Sequence, residues 1–270
     1  MKRTKLILVC GLVLALTGLT TLLVAAGAQK DQKAIVRSVV GDVQYQVDGM
    51  GPFLALRVNM ELNPKTVLKS GRGASAYLQV NGVTSVVKLT ENTTVTLSTM
   101  TATGPGLDAD KSTDLKLDGG TILGQVKKLS ANSDYKVTVP NGVAGIRGTD
   151  FQVTVTVQNG TVTVTFTSQT GTIFCQVTPA AGQTQEQSSR TLTSGQSWTV
   201  TGTVPVAGGP VTTVSLGIVG TVSVADLATF RTVFNPPPVI VTTVTVTPTA
   251  PPPPPVHVPV NNNPSTVGGS

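Results

Sequence analysis

The chain has 270 residues, enough for one large domain or two small ones, and a formal net charge of +6. Three of its 19 basic residues precede an apolar run near the start, which leaves 16 against 13 acids beyond it. With no concentrated basic patch and only 4% aromatic residues, the composition argues against a nucleic-acid partner.

The first element is "MKRTKLILVCGLVLALTGLTTLLVAAGAQ". Lys2, Arg3 and Lys5 lead into apolar residues, and the run closes on the small residues Ala26-Gly27-Ala28. Residues 1–28 therefore read as a secretory signal peptide cut after Ala28. The 21 residues from Leu6 to Ala26 are also long enough to span a bilayer, so an uncleaved N-terminal anchor is the alternative. Three threonines and two glycines in the run weaken it as a permanent anchor. Either way the rest of the chain is expected outside the cytoplasm, periplasmic or secreted, and touches a membrane only through that segment if it stays. Cys10 follows Val9, a poor setting for lipid attachment.

From Ala34 to about Val204, Val, Thr, Leu and Ile alternate with polar residues, broken every eight to twelve residues by Gly, Asn, Asp or Pro. That is the pattern of an all-β sandwich, barrel or solenoid. A strand pair is expected at "ASAYLQVNGVTSVVKL". A tight turn at Asn81-Gly82 would set Leu78 against Ser85, so a longer loop is predicted, with Val87 and Leu89 resuming the inward row. Further strands are predicted at 94–100, 115–129, 135–139 and 197–204.

The best-specified unit is "DFQVTVTVQNGTVTVTFTS". Asn159-Gly160 signals a type I′ turn, in which both central residues need φ > 0. That turn sets Val157 against Val162, Val155 against Val164 and Val153 against Phe166, with the threonines on the other face. Turn chemistry and hydrophobic pattern give one register, which a slip of one residue would destroy. In "TIFCQV", Cys175 sits in a strand and reads as a buried small hydrophobe, since no histidine lies near to activate it.

Residues 205–234 form a C-terminal extension in which "SVADLATFRTVF" (223–234) has near-helical spacing with Ser223 as a cap. Eleven of the 18 prolines lie beyond Asn235, including Pro251 to Pro255 in a row. Residues 235–270 are expected to be a disordered or semi-rigid tail.

The only histidine, His257, falls in that tail, which removes Ser/His and Cys/His nucleophile pairs and histidine zinc sites from the folded part. No cofactor is expected. Asp108, Asp110, Asp114 and Asp118 are the densest carboxylate group and a candidate calcium site, but the pattern lacks the distal glutamate of a calcium loop. They read instead as a polar loop between strands. "NGVAGIRGT" has a phosphate-loop look, yet it lacks the lysine and runs into a strand rather than a helix. It also lacks the serine of a nucleophile elbow. "NTT" (92–94) and "NGT" (159–161) are glycosylation triplets, the second better explained by the turn.

The order "AIVRSVVGDVQY", "VLKSGRGASAYLQV", "LKLDGGTILGQV", "YKVTVPNGVAGIRGTDFQV" and "GQSWTV" resembles the FecR domain of bacterial extracytoplasmic proteins over residues 34–200. The specific part is Tyr135 to Val155, with Pro140, Gly142, Gly145, Arg147, Gly148, Thr149, Asp150 and Phe151 on its motif. The resemblance implies an elongated all-β domain of short antiparallel strands over 34–204. Signalling members of the family couple an outer-membrane transporter to a cytoplasmic sigma factor. They need an anti-sigma segment before the membrane span, where this chain has five residues. It departs also at Val139, where threonine is usual, and at Asn63-Pro64, where Gly-Asp is common.

These residues lead to an exported, non-enzymatic binding or scaffold module whose partner is an envelope protein or cell-wall component. A membrane-anchored periplasmic sensor is the first alternative, and carboxylate-based calcium or polysaccharide binding the second. Arg147 is expected where a strand crosses over, its five donors satisfying carbonyls that glycine-rich backbone leaves unpaired, with Asp150 beside it.

Overall fold

The computed structural model describes residues 28–222 apart from 81–84, 105, 107–108, 180–181 and 205–211. The chain divides into two units, Met1–Asn235 and Pro236–Ser270, and every described residue belongs to the first. The leader up to residue 27, the helix predicted over 223–234 and the proline-rich tail lie outside the described residues.

The described chain is all-β. Its strands are β1 (Gln29–Asp31), β2 (Ala34–Val40), β3 (Val43–Gln46), β4 (Leu54–Ala55), β5 (Glu61–Leu62), β6 (Val67–Ser70), β7 (Ser75–Val80) and β8 (Ser85–Leu89). There follow β9 (Thr94–Thr103), β10 (Asp110–Val126), β11 (Asp134–Val139), β12 (Gly142–Gln158), β13 (Thr161–Val177), β14 (Ser189–Thr193), β15 (Gln196–Thr203) and β16 (Thr212–Thr221). A 3-10 turn, Val47–Gly49, is the one helical element among the described residues. All sixteen strands belong to one continuous hydrogen-bonded sheet.

Three strands, β10, β12 and β13, run for 17 residues each, longer than the expected breaks allow. Each changes partners midway. Asp110–Gly119 of β10 pairs with β9, while Ile122–Val126 pairs with β8. The first half of β12 pairs with β11 and its second half with β10. The second half of β13 pairs with β14 and its first half with β15. The long strands thus bend from one layer into another. In one layer lie β9, β11 and β14 with the adjoining halves of the long strands. In the other lie β2, β7, β8, β15 and β16 with the remaining halves.

The crossings fall at opposite ends. β10 crosses at Gly119-Gly120, where the β9 partner is Thr94, and this is the first end. β12 crosses at Gly148, β13 at Gly171, and the β14–β15 pair at Ser194-Gly195, all at the second end. There Tyr135 of one layer meets Phe151 of the other edge-on, with ring centroids 6.1 Å apart. β10 and β11 pair in parallel, Ser112 opposite Asp134. A parallel pair needs a crossover of a dozen or more residues, and the second half of β10 with the loop after it supplies one.

Alternation on every long strand sends Val, Leu, Ile and Phe into a single core. Trp198 and Phe166 stack there at 6.2 Å, and the buried Trp198 indole donates to Gly217 O at 2.8 Å. Each such side chain contributes about 1.5–3 kcal/mol by leaving water.

The β12–β13 hairpin has the predicted register: Val157 faces Val162, Val155 faces Val164 and Val153 faces Phe166. Asn159 and Gly160 hold φ of 49° and 72°, as the type I′ turn requires. Val157 alone of the six is exposed, because the hairpin tip outruns the opposing layer. In the other predicted pair Leu78 faces Val87 and Val80 faces Ser85, with four residues between the strands.

Candidate functional site

The stretch "VPNGVAGIRGTDFQV" turns between β11 and β12, runs up one layer, and crosses into the other. Pro140 and Asn141 make the turn, and Asn141 O accepts from Thr178 N at 2.8 Å. The Asn141 side chain is buried, and neither amide atom has a hydrogen-bond partner. Gly142 follows because a Cβ there would stand 2.5 Å from Gln176 O. Gly148 sits at φ +61° where the strand bends.

The bend is held by a hydroxyl. Thr149 is buried; its Oγ1 donates toward Thr172 O (2.9 Å) and Arg147 O (3.1 Å) and accepts from Thr172 N (3.2 Å). Beside it Asp150 N donates to Thr170 Oγ1 at 3.1 Å, and Gly171 N to Ser194 Oγ at 2.9 Å. Hydroxyls therefore replace the main-chain partners that bending takes away. This corrects the role expected of Arg147. Its side chain is exposed, and it has no hydrogen-bond or ion-pair partner among the described residues, Asp150 included. Thr149 does that work because a short hydroxyl reaches carbonyls inside the crossing that a long guanidinium overshoots.

Phe151 is fully buried three residues past Gly148, where β12 crosses. Its ring lies over Gly124 of the neighbouring β10, where a Cβ would come within 2.2 Å of it. Tyr135 meets the same ring edge-on. Burial pushes the Tyr135 phenol well above its ordinary range.

Motif residues on the opposite face of β12 line a shallow depression of about 230 Å3 near the second end. Lys136, Gly145 and Phe174 form one cross-strand row of it, and Arg147 stands at its edge. Gly145 has open space above it: nothing but Phe174 O, at 3.7 Å, would meet a Cβ. The missing side chain exposes Phe174, which is 51% accessible although it sits in a strand. Lys136 Nζ lies 2.8 Å from an Asp134 carboxylate oxygen. Partial burial pushes that carboxyl up, but hydrogen bonds from Lys136 and Ser112 outweigh it and hold the group below its ordinary value. The depression thus offers an aromatic surface, one engaged cation and one unengaged one. Phe174 was legible in principle, because the inward placing of Cys175 turns its neighbour outward.

The aspartates fare differently from expectation. Asp108 lies outside the described residues, and Asp110, Asp114 and Asp118 belong to strand β10, not to a loop. Successive ones, four residues apart on a strand, stand about 13 Å from each other, too far to share an ion. Asp110 accepts from Ser130 Oγ and Asn132 Nδ2, Asp114 from Thr138 Oγ1, and Asp118 pairs with Lys116. Among the described residues no acid, His or Cys cluster can hold a metal.

Cys175 is fully buried, and burial pushes its thiol far above the ordinary range. A thiol reagent near neutral pH should leave it unlabelled in the folded chain and label it after denaturation, as peptide mapping by mass would show.

Residues 66–168 match the model of the FecR protein family, a narrower span than the 34–200 of the motif resemblance. No curated protein matches the chain. Two crystal structures described as a "putative anti-sigma factor" from Parabacteroides distasonis, at 1.65 and 2.50 Å resolution, share 13% identity with it at a TM-score of 0.40. They cover 61% of this chain, which spans 64% and 63% of theirs. At that identity and score the overlay assigns no residue a role.

Proposed function

We propose that this chain, a FecR-domain protein by the match over residues 66–168, is an exported, non-enzymatic binding module of the bacterial cell envelope. Its partner, an envelope protein or cell-wall component, docks on the depression between β11, β12 and β13. The observation that carries this reading is the split of the family motif. Thr149 and Phe151 build the fold, whereas Gly145 and Arg147 face outward beside an exposed Phe174 with no internal work to do. An open aromatic surface next to an unengaged guanidinium is the usual anatomy of a binding centre. A photo-crosslinking residue at position 174 should trap a discrete envelope partner, and Gly145→Trp, which fills the notch, should abolish the adduct. A crosslinker at Val157 on the far hairpin is the control. No adduct at 174, or the same adduct at both sites, would sink the proposal.

The family match also supports a second reading, a membrane-anchored periplasmic sensor in a sigma-factor signalling system. It requires residues 1–28 to stay in the membrane. Intact mass of the protein recovered from cells separates the two: a start at Gln29 selects the free module, and a retained leader selects the sensor.

A further inference from the structure

β1, the strand that follows the basic-apolar leader, is three exposed residues long. Gln29 opens it opposite Thr103, which pairs in turn with Asp110 at the second end of the layers. The described chain leaves at that end too, since Val222 N donates to Gly195 O at 2.7 Å. Among the described residues β1 pairs with β9 alone, so its other edge is open.

The register fixes where the Gln29 nitrogen points. Gln32 N donates to Met100 O at 2.7 Å. The rows continue with Asp31 opposite Thr101, Lys30 opposite Ala102 and Gln29 opposite Thr103. Bonded and unbonded rows alternate in an antiparallel pair. Lys30 therefore sits in a bonded row, whereas Gln29 sits in an unbonded one, its main-chain nitrogen turned to the open edge. The Gln29 side chain donates from Nε2 to Thr101 Oγ1 at 2.8 Å.

We propose that Gln29, freed as the first residue by the cut after Ala28, closes its side chain onto its own α-amine and caps the protein as pyroglutamate. The inference rests on the exported reading, which supplies that cut. The uncharged amine forms a bond to Cδ, the Cδ–Nε2 bond breaks, and Nε2 leaves as ammonia with a proton from the amine. No co-reactant enters. A peptide α-amine titrates at about 7.7–8.0, so a usable share of it is uncharged near neutral pH. Amine and amide sit in one residue, which makes the attack intramolecular. The ladder loses nothing, because the nitrogen that closes lies outside it, and only the bond to Thr101 is given up. The cap leaves no amine for an exopeptidase to grip. It thereby preserves the short strand that covers β9 from Thr101 to Thr103, an edge that would otherwise invite another chain.

The test is the intact mass of the full chain recovered from cells that export it, with fragmentation of its N-terminal peptide. The mature protein should be lighter by one ammonia than a chain starting with unmodified Gln29, and a broad-specificity aminopeptidase should leave it whole. Gln29→Ala, which has no side-chain amide to close, should keep a free amine and be shortened by the same enzyme. Hydrogen exchange at the Gln32 amide should be equally slow in both before digestion. A mature chain that keeps an open Gln29 overturns the inference and leaves the exported reading standing. A start at any other residue overturns the cut and the inference together. Faster exchange at Gln32 in the capped chain would overturn the placing of the Gln29 nitrogen outside the ladder.

Discussion

Thr149→Val should lower the unfolding free energy by about 2–3 kcal/mol, whereas Arg147→Ala should change it by no more than about 0.5 kcal/mol. Valine keeps the shape of threonine and removes only the hydroxyl. That leaves Thr172 N and O and Arg147 O without their shared partner inside the strand crossing. The part-buried Thr172 N–H left unsatisfied costs up to about 1–3 kcal/mol, and two part-buried carbonyls add to it. Arg147, exposed and unengaged, loses nothing internal. Urea unfolding followed by the fluorescence of the single tryptophan, buried Trp198, measures both variants. Equal midpoints for Thr149→Val and the parent would remove the hydroxyl from the account of the crossing. A large loss with Arg147→Ala would restore the guanidinium to it.

The second large effect concerns Gly124 and Phe151. A methyl at position 124 would lie 2.2 Å from the buried Phe151 ring, which also packs edge-on against Tyr135. Gly124→Ala should therefore cost about 1–3 kcal/mol through overpacking. Phe151→Leu, which shortens the intruding ring, costs something alone because it leaves space beside Tyr135. Together the two should cost less than their sum by about 0.5–3 kcal/mol, since the added methyl fills what the ring vacates. The double-mutant cycle is run in urea on the same fluorescence. Strict additivity would mean that glycine stands at 124 for some other reason than the ring above it.

The hairpin at 153–166 was legible because two independent signals coincide, turn residues that demand positive φ and an apolar row that tolerates one register. The long strands were not. Gly120, Gly148 and Gly171 all carry positive φ, as turn glycines do, yet the chain bends there and continues. Whether such a glycine reverses a strand or carries it into the next layer depends on which strands flank it. That is a tertiary matter which local pattern does not hold. The aspartates before Leu115 were misplaced for the same reason: "DKSTD" resembles a loop until β9 and β11 pair around it. At the candidate site, the motif was found, but the division of labour within it was not. Arginine has the larger donor set, so it drew the role that a threonine two residues on performs at shorter reach. Phe174 was hidden by its alternation with Ile173 and Cys175, which looks the same whether the outward residue is threonine or an aromatic ring.

The placing of Gln29 and Val222, the outermost strand-end residues of the described chain, at one end of the layers has a mechanical consequence. A tension applied between Gln29 and Val222 acts across the strand ends instead of along them. It would peel β1 from β9 and β16 from β15 one rung at a time, a geometry that yields at low force. The crossings of β12 and β13 at the same end would not feel the load until the outer strands had gone. Under a pull the domain would therefore lengthen first by shedding its edges, while the part bearing Gly145, Arg147 and Phe174 stays folded.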